Sequence, residues 1–382
     1  MIIRPITDRD LDTLFQIATE SGSGFTSLMP DKDALAQKIA HSMASFERRV
    51  SCPGDEHYLF VLEDETTGDI LGTTAIEASA GHTQPLYHFR RNTVTHHSRD
   101  LDLRRSVETL TRCNHYTGYS EICSLYLRPE FRRANAGKLL SRVRFLFMAL
   151  HPERFSDKVI AEMRGVSNAA GQSPFWDWLK AHFVDMEFGR ATHLVGAGYT
   201  DFIDELMPSH PLYTCLMSPE AQAVLSQVHD HTRPALRILE AEGFQHKGLI
   251  DLFDAGPTVE CALADIRSVK SSAPCTVQIG GASMRTSMRA SSDDEPANYQ
   301  HNQPILITNT GTADFRATIT SEVSAHPSPE KADSALANTL IVSPALATKL
   351  RLSDGEPSRF LPLNQAAPAL IRSTATELNY AY

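Results

Sequence analysis

The chain has 382 residues, 42% of them hydrophobic and 21% charged, with a formal net charge of −10 at pH 7. That length holds two or three domains, and the acidic balance argues against a nucleic-acid binder, which presents a basic face. It still permits a local basic pocket for an anion, and it suits a cationic substrate. No apolar run approaches ~18 residues, which argues against a membrane span. Six cysteines, at positions 52, 113, 123, 215, 261 and 275, show no C-x-x-C and no Cys/His metal spacing. Reduced thiols, no metal and a cytoplasmic location are therefore expected. The opening MIIRPIT reads as a strand rather than a signal peptide.

Residues 2–21 read as strand, turn and helix, with Thr7 or Asp8 as N-cap and Leu11, Leu14, Phe15 and Ala18 on one helical face. SGSGFTSL follows as a loop and DKDALAQKIAHSMASF as a second amphipathic helix. HYLFVLEDETTGDILGTTAIEA is a hairpin signal, two β-rich runs around an acidic turn containing Gly. Residues 82–118 are polar, rich in His and Arg, and less regular. An apolar strand, a short basic loop and an apolar helix then occupy Glu121–Met148. KVIAEMRG is another strand, and SPFWDWLKAHF is a helix whose Trp176 and Trp178 read as core. Residues 196–228 look helical and irregular. RPALRILEAEGF is a helix closed by Gly243 as a left-handed cap, and HKGLIDLFDAGPTVECAL reads as a closing pair of strands.

Three units are expected. Residues 1–268 alternate strands and helices as a mixed α/β domain with a central sheet. Residues 269–303 form a polar linker or excursion, expected to be mobile. Residues 304–382 form a small, mostly β unit with strands PILITN, FRATITSE, TLIVSP and SRFLPL and a helical turn at 345–350.

The run EICSLYLRPEFRRANAGKLLSRVRFLFM carries the chemistry. A strand that ends in a basic loop opening directly into a helix suits a pyrophosphate, because unpaired N–H groups and the helix dipole favour negative charge there. The loop residues Arg132, Arg133, Ala134, Asn135, Ala136 and Gly137 resemble the Gln/Arg-x-x-Gly-x-Gly/Ala loop of the GNAT acyl-CoA N-acyltransferases. Asn135 replaces the first glycine, and Asn is the residue after Gly that best tolerates positive φ. Arg132 and Arg133 add charge near the phosphates, and Gly137 and Lys138 lie in the first helical turn. The alternative is a basic turn between a buried strand and a buried helix.

Longer runs are similar to the arginine N-succinyltransferase family across about residues 1–268. They include GSGFTSL, YLFVLEDETTGDILGTTAIE, SEICSLYLRPEFRR, LLSRVRFLFMA, FSDKVIAEMRG, SPFWDWL, FIDELMPSHPLYT, AQAVLSQVHDHTRPALRILEAEGF and LIDLFDAGPTVEC. The C-terminal third resembles the family less. The resemblance implies an α/β (α+β) GNAT-like acyl-CoA N-acyltransferase fold with an appended small C-terminal β-barrel-like unit. It implies transfer of succinyl from succinyl-CoA, as co-substrate, to the α-amine of L-arginine in arginine catabolism, and a homo-oligomer or a pairing with a paralogous subunit. It also implies two roles. Leu125 contacts succinyl-CoA, and His229, in QVHDHTRPA, is the proton donor, with His231 as its rival.

The chemistry is consistent with these roles. The amine must lose a proton before attack, and the leaving thiolate must be protonated or stabilised, which a histidine can do. A surface or capping histidine is the structural alternative for His229. Leu125, with Leu127, would act through backbone groups left free by a splayed strand, like an added strand along the pantetheine. Simple alternation places Glu121, Cys123 and Leu125 on one face. Glu121 then serves as base or guanidinium partner, or is a strand-end carboxylate; Cys123 reads as a small buried hydrophobe. Arg90, Arg91, Arg164, Ser23 and Thr26 are candidates for binding substrate carboxylates. Two other readings remain: a paralogue that succinylates ornithine or a related amine, and a non-catalytic acyl-CoA-binding subunit.

Overall fold

Apolar runs with period two and amphipathic runs with period 3.6 assemble here around a single sheet. The computed structural model describes residues 1–22, 27–132, 135–168, 171–280, 303–327 and 338–363. Its strands are β1 (Ile2–Pro5), β2 (His57–Glu63), β3 (Ile70–Glu77), β4 (His88–Ser98), β5 (Leu103–Cys113), β6 (Ser120–Leu127), β7 (Lys158–Glu162), β8 (Leu212–Tyr213), β9 (Gln245–Asp251) and β10 (Pro257–Ala262). After them come β11 (Ala273–Ile279), β12 (Ile305–Thr308), β13 (Ala317–Thr320), β14 (Ser324–Pro327), β15 (Asn338–Val342) and β16 (Pro357–Pro362). The helices are α1 (Leu11–Ser21), α2 (Lys32–Glu47), α3 (Ala136–Leu150), α4 (Pro174–Leu179), α5 (Phe188–Gly196), α6 (Asp201–Leu206), α7 (Pro219–Ala223), α8 (Arg233–Glu242), α9 (Arg267–Ser271) and α10 (Pro344–Leu350).

The strands form one open sheet in the order β14-β15-β11-β16-β12-β13-β1-β2-β3-β6-β7-β10-β9-β4-β5-β8. β6 runs parallel to β7, and β11 runs parallel to β15. On one face α1 and α2 cover Leu59, Val61 and Ala75 with Leu14, Ile17, Leu35 and Ile39. On the other, α3 buries Leu139, Leu140, Val143, Leu146 and Phe147 in the largest core. Phe46, Tyr58, Phe60, Phe155 and Phe315 ring Phe147, mostly edge to face.

The expected barrel-like C-terminal unit is corrected by this topology. β1 pairs with β2 on one side and with β13 on the other, at Ile3↔Ala317, so the C-terminal strands extend the same open sheet. Phe315, Ala317, Leu306 and Leu361 enter the core built around Phe147, with the Phe147 and Phe315 rings 5.1 Å apart. The C-terminal strands also bury a core of their own under α10, from Val277, Ile305, Ile307, Leu340, Leu350 and Phe360. The stretch read as a polar linker opens with the end of α9 and with β11, which pairs with β15 and β16. The rest of that stretch, residues 281–302, lies outside the described residues.

Residues 82–118, irregular by sequence, hold a hairpin of two eleven-residue strands, β4 and β5. Its far half is exposed, so its residues show no alternation to read. Asp31 caps α2 through Asp33 and Ala34 N–H, and Gly243, at φ 106, ends α8 as expected. All six cysteines are free. Among the described residues no helix is long and apolar enough to cross a membrane.

One buried ion pair joins the two helices that flank the site. Arg142 Nε on α3 donates to Glu242 Oε1 on α8 at 2.9 Å, and Ser268 N–H donates to the other oxygen at 2.7 Å. Removing the carboxylate strands a buried guanidinium and a buried N–H. Glu242→Ala is therefore expected to cost about 3–5 kcal/mol in urea unfolding. A loss under about 1 kcal/mol would show that the pair does not hold α8 to α3.

Candidate active site

The centre of the site is a parting between two strands. β6 and β7 pair only at Ser120↔Val159 and Glu121↔Ile160, and beyond Glu121 they separate into a wedge. β6 stays anchored to β3 on its other side, but with one extra residue: Ala75 faces Cys123 while Thr73 faces Tyr126. Ser124 absorbs the insertion at φ 50, and Thr73 Oγ1 donates to Ser124 O at 2.9 Å. The bulge changes the facing expected from simple alternation. Leu125 and Leu127 pack with Ile122 against the core under α3, whereas Cys123 and Tyr126 face α1 and α2. Glu121 and Leu125 thus leave the sheet on opposite sides, while the backbone of Leu125 and Leu127 borders the wedge.

Past the open end of β6 the chain makes a short turn at Pro129–Phe131 and enters α3. Asn135 occupies the left-handed region at φ 65, a conformation glycine adopts freely and Asn tolerates. Its carbonyl accepts from Leu139 N–H at 2.8 Å, which leaves the N–H groups of Ala136, Gly137 and Lys138 ahead of the first helical bond. Gly137 faces open space where a side chain would stand. Arg132 is exposed, its Nε donating to Leu127 O at 3.2 Å. Arg128 is bound to Glu20 at 3.1 Å and to Gln16, tying α1 to the end of β6. Arg133, Ser23 and Thr26 lie outside the described residues.

His229 reaches the same open end from the other strand. Val228 forms a bridge with Gly165, just past β7, and His229 N–H donates to Arg164 O at 2.9 Å. His231 N–H donates to His229 Nδ1 at 3.2 Å, so the neutral ring carries its proton on Nε2. Burial, then the charges of Arg164 and His231, hold His229 below its usual value. Arg164 gives one bond to Ser167 Oγ at 3.1 Å, and its buried Nε has no acceptor among the described residues. Burial lowers its pKa, with Asp254 opposing. Asp254 fixes this turn: its carboxylate accepts from Gly165 N–H at 2.7 Å and from Gly256 N–H at 2.8 Å. A Cβ at Gly165 would collide with the Asp254 backbone and carboxylate, and one at Gly256 with Met163 O.

Carboxylates line the sheet at the closed end of the wedge. Glu77 on β3 stands directly across from Glu121 on β6, and His57 on β2 directly across from Glu77. Burial would raise Glu77, but the hydrogen bond from His57 and the charge of Lys38 outweigh it and keep it low. Glu121 is pushed the other way, well above its usual value, first by burial and then by the charges of Glu162, Glu77 and Asp251. Among the described residues Glu121 has neither a hydrogen-bond nor an ion-pair partner. Cys123 completes a group with His57 and Glu77 whose ligating atoms lie within 4.8 Å of one another, but burial drives its thiol well above the usual range.

The comparisons with known proteins fit this geometry. The family model described as "Arginine N-succinyltransferase beta subunit" matches residues 1–268. The chain belongs to the arginine N-succinyltransferase family. It is 45% identical over 279 residues to the arginine N-succinyltransferase of Yersinia pseudotuberculosis, covering 73% of this chain and 79% of that one. It is 40% identical over 364 residues to the arginine N-succinyltransferase subunit beta of Pseudomonas aeruginosa, covering 95% of this chain and 98% of the relative. That alignment runs through most of the C-terminal third, which by sequence resembled the family less. The solved structure of the arginine/ornithine succinyltransferase subunit AI from Pseudomonas aeruginosa superposes with a TM-score of 0.80 at 34% identity, over 95% of this chain and 99% of that one.

Of the residues singled out from sequence, Leu125, Leu127, Asn135, Gly137, Lys138, Arg164 and His229 gather around the open end of the wedge, with Glu121 at its vertex. Arg91 is bound instead to Glu108 and to Ser226 Oγ at 2.7 Å. Asp251, Asp254 and Glu162 were not singled out. Two aspartates inside the otherwise apolar LIDLFDAGP are the signal that could have found the first two. Because Gly165 holds the turn that carries both Arg164 and His229, Gly165→Ala is expected to cost about 1–3 kcal/mol through overpacking and to lower kcat. An unchanged Tm and an unchanged rate would contradict this.

Proposed function

We propose that this chain transfers the succinyl group of succinyl-CoA to the α-amine of L-arginine, giving N2-succinyl-L-arginine and CoA. The observation that carries the reading is the meeting, at one open end of the β6/β7 wedge, of the uncapped α3 N-terminus, Arg164 and His229 in a chain of this family. The pantetheine lies in the wedge beside the backbone of Leu125 and Leu127. Asn135, Gly137 and Lys138, with Arg132 nearby in the chain, receive the pyrophosphate. No metal takes part in this reading.

Each chemical step then has a group. Glu121, raised and without a partner, accepts the proton of the incoming α-ammonium; a carboxylate pushed upward is the stronger base. The free amine attacks the thioester carbonyl, the C–N bond forms, and the C–S bond breaks. His229 presents its Nε2–H to the departing sulfur and stabilises the thiolate. Arg164, with its orphan Nε, suits a substrate carboxylate, either the distal carboxylate of the succinyl group or that of the amino acid. Residues 1–268 hold all of these groups, and we take them as the catalytic unit, with the C-terminal strands as its extension and the cytoplasm as its location.

A second acceptor is favoured by one finding: the solved Pseudomonas aeruginosa protein is described as an arginine/ornithine succinyltransferase subunit. The same description, and the beta-subunit name of the family, favour a paralogous partner over a lone homo-oligomer.

The test is CoA release by the purified protein with succinyl-CoA or acetyl-CoA and arginine, ornithine or lysine. Fast release only with succinyl-CoA and arginine is expected. Release with ornithine alone would move the acceptor, and CoA binding without release would favour a non-catalytic subunit. His229→Ala is expected to lower kcat by about 10²–10⁴ with CoA binding intact, and an unchanged rate would remove His229 from the chemistry. The raised Glu121 predicts that kcat/KM for the amine climbs with pH through a midpoint well above an ordinary carboxylate's. Glu121→Gln should abolish that limb, and a limb that survives would belong to another group.

A further inference from the structure

The carboxylate row continues past the vertex to a second group, and it is aimed at the other end of the acceptor. Glu162 ends β7 two residues beyond Ile160, the partner of Glu121, so both carboxylates leave the sheet on the same face. His88 on β4 is fully buried, and its Nε2 lies 2.8 Å from Glu162 Oε1, close enough for an ion pair but without hydrogen-bond geometry. His88 in turn stands directly across from Asp251, and its ring packs edge-on against Tyr116 at 5.1 Å. Glu162 thus turns one oxygen toward the His88 ring. Its side chain keeps 27% exposure, and its other oxygen has no partner among the described residues.

An independent observation points to a missing donor. Thr258 on β10 is directly across from Glu162, so its side chain rises from the same face. It is fully buried, yet its Oγ1 has no hydrogen-bond partner among the described residues. Such orphans are uncommon in native proteins and call for an explanation. Nearby, Asp251 is pushed upward, first by burial and then by the charges of Asp254 and Glu162. Arg90, two residues from His88 on the same face, is a counter-charge on β4, and its Nε has no acceptor among the described residues.

We propose that Glu162 and Thr258, braced by His88, form the subsite for the guanidinium of the acceptor. A guanidinium is planar and offers five N–H donors, enough to serve the free Glu162 oxygen and the Thr258 hydroxyl together. Glu162 lies one strand over and two residues on from Glu121, which places the side-chain cation beside the α-amine subsite. His88, packed against one Glu162 oxygen, leaves the other oxygen to face the ligand. This inference rests on the reading of the vertex as the α-amine subsite.

The test compares arginine with citrulline, its neutral isostere, as acceptors for succinyl-CoA in the wild-type protein and in Glu162→Gln and Thr258→Val. The wild type is expected to prefer arginine. Glu162→Gln should raise KM for arginine by about 10- to 100-fold, narrow the arginine-to-citrulline ratio, and leave the Kd for succinyl-CoA unchanged. Thr258→Val, which keeps shape and removes the hydroxyl, should raise KM for arginine several-fold with kcat little changed, and it carries the test if Glu162→Gln does not fold. If the wild type prefers arginine but both variants keep its KM and the ratio, the subsite is overturned while the proposed reaction stands. If the wild type turns over neither acceptor, both fall.

Discussion

The separation of β6 from β7 is the constraint on which the rest of the site depends. A parallel pair that stayed in register along its whole length would satisfy its own backbone groups and leave no room for a ligand. Here the ladder stops after two residue pairs. Each strand has another anchor that lets it leave. β6 is held to β3 across a bulge at Ser124, and β7 is held to β10 along five pairs. Asp254 then fixes the turn beyond β7 through two glycine N–H groups. The opening is thus a product of strong pairing on the outer sides of both strands rather than of weak pairing between them.

The same arrangement concentrates charge. Directly opposed like charges on neighbouring strands are unfavourable, and Glu77 opposite Glu121 is such a pair. The fold eases it by treating the two differently: His57 and Lys38 hold Glu77 low, while burial and neighbouring charges push Glu121 upward. In the proposed reaction the cationic acceptor is the partner that this row of carboxylates meets.

Much of this was legible in the sequence where a residue's environment follows from its period. The Glu121–Met148 strand, loop and helix, the β2–β3 hairpin, the Gly243 cap and the late strands all appear where alternation or turn chemistry placed them. Asn135 was legible as a stand-in for glycine because backbone conformation limits which side chains fit. Three things were not legible. The β4–β5 hairpin is wet on both sides over half its length, so it lacks the alternation that marks a strand. The bulge at Ser124 depends on a cross-strand partner, and it moved Leu125 to the opposite face from Glu121. The continuity of the C-terminal strands with the main sheet depends on one pairing, Ile3↔Ala317, between residues far apart in the chain.

That pairing sets the order in which the molecule can be completed. β1 lies between β2 and β13, and Thr318 donates to Met1 O across 317 positions of sequence. A ribosome releases β1 and β2 early and β13 only after most of the chain has been made. Until then β1 presents an open edge, and the core around Phe147 lacks Phe315. Contacts of such long range slow folding, and an unpaired edge during that interval is a site for mispairing with another chain. The C-terminal strands therefore seal the catalytic sheet last, and expression of the first 268 residues alone would leave that seam uncovered.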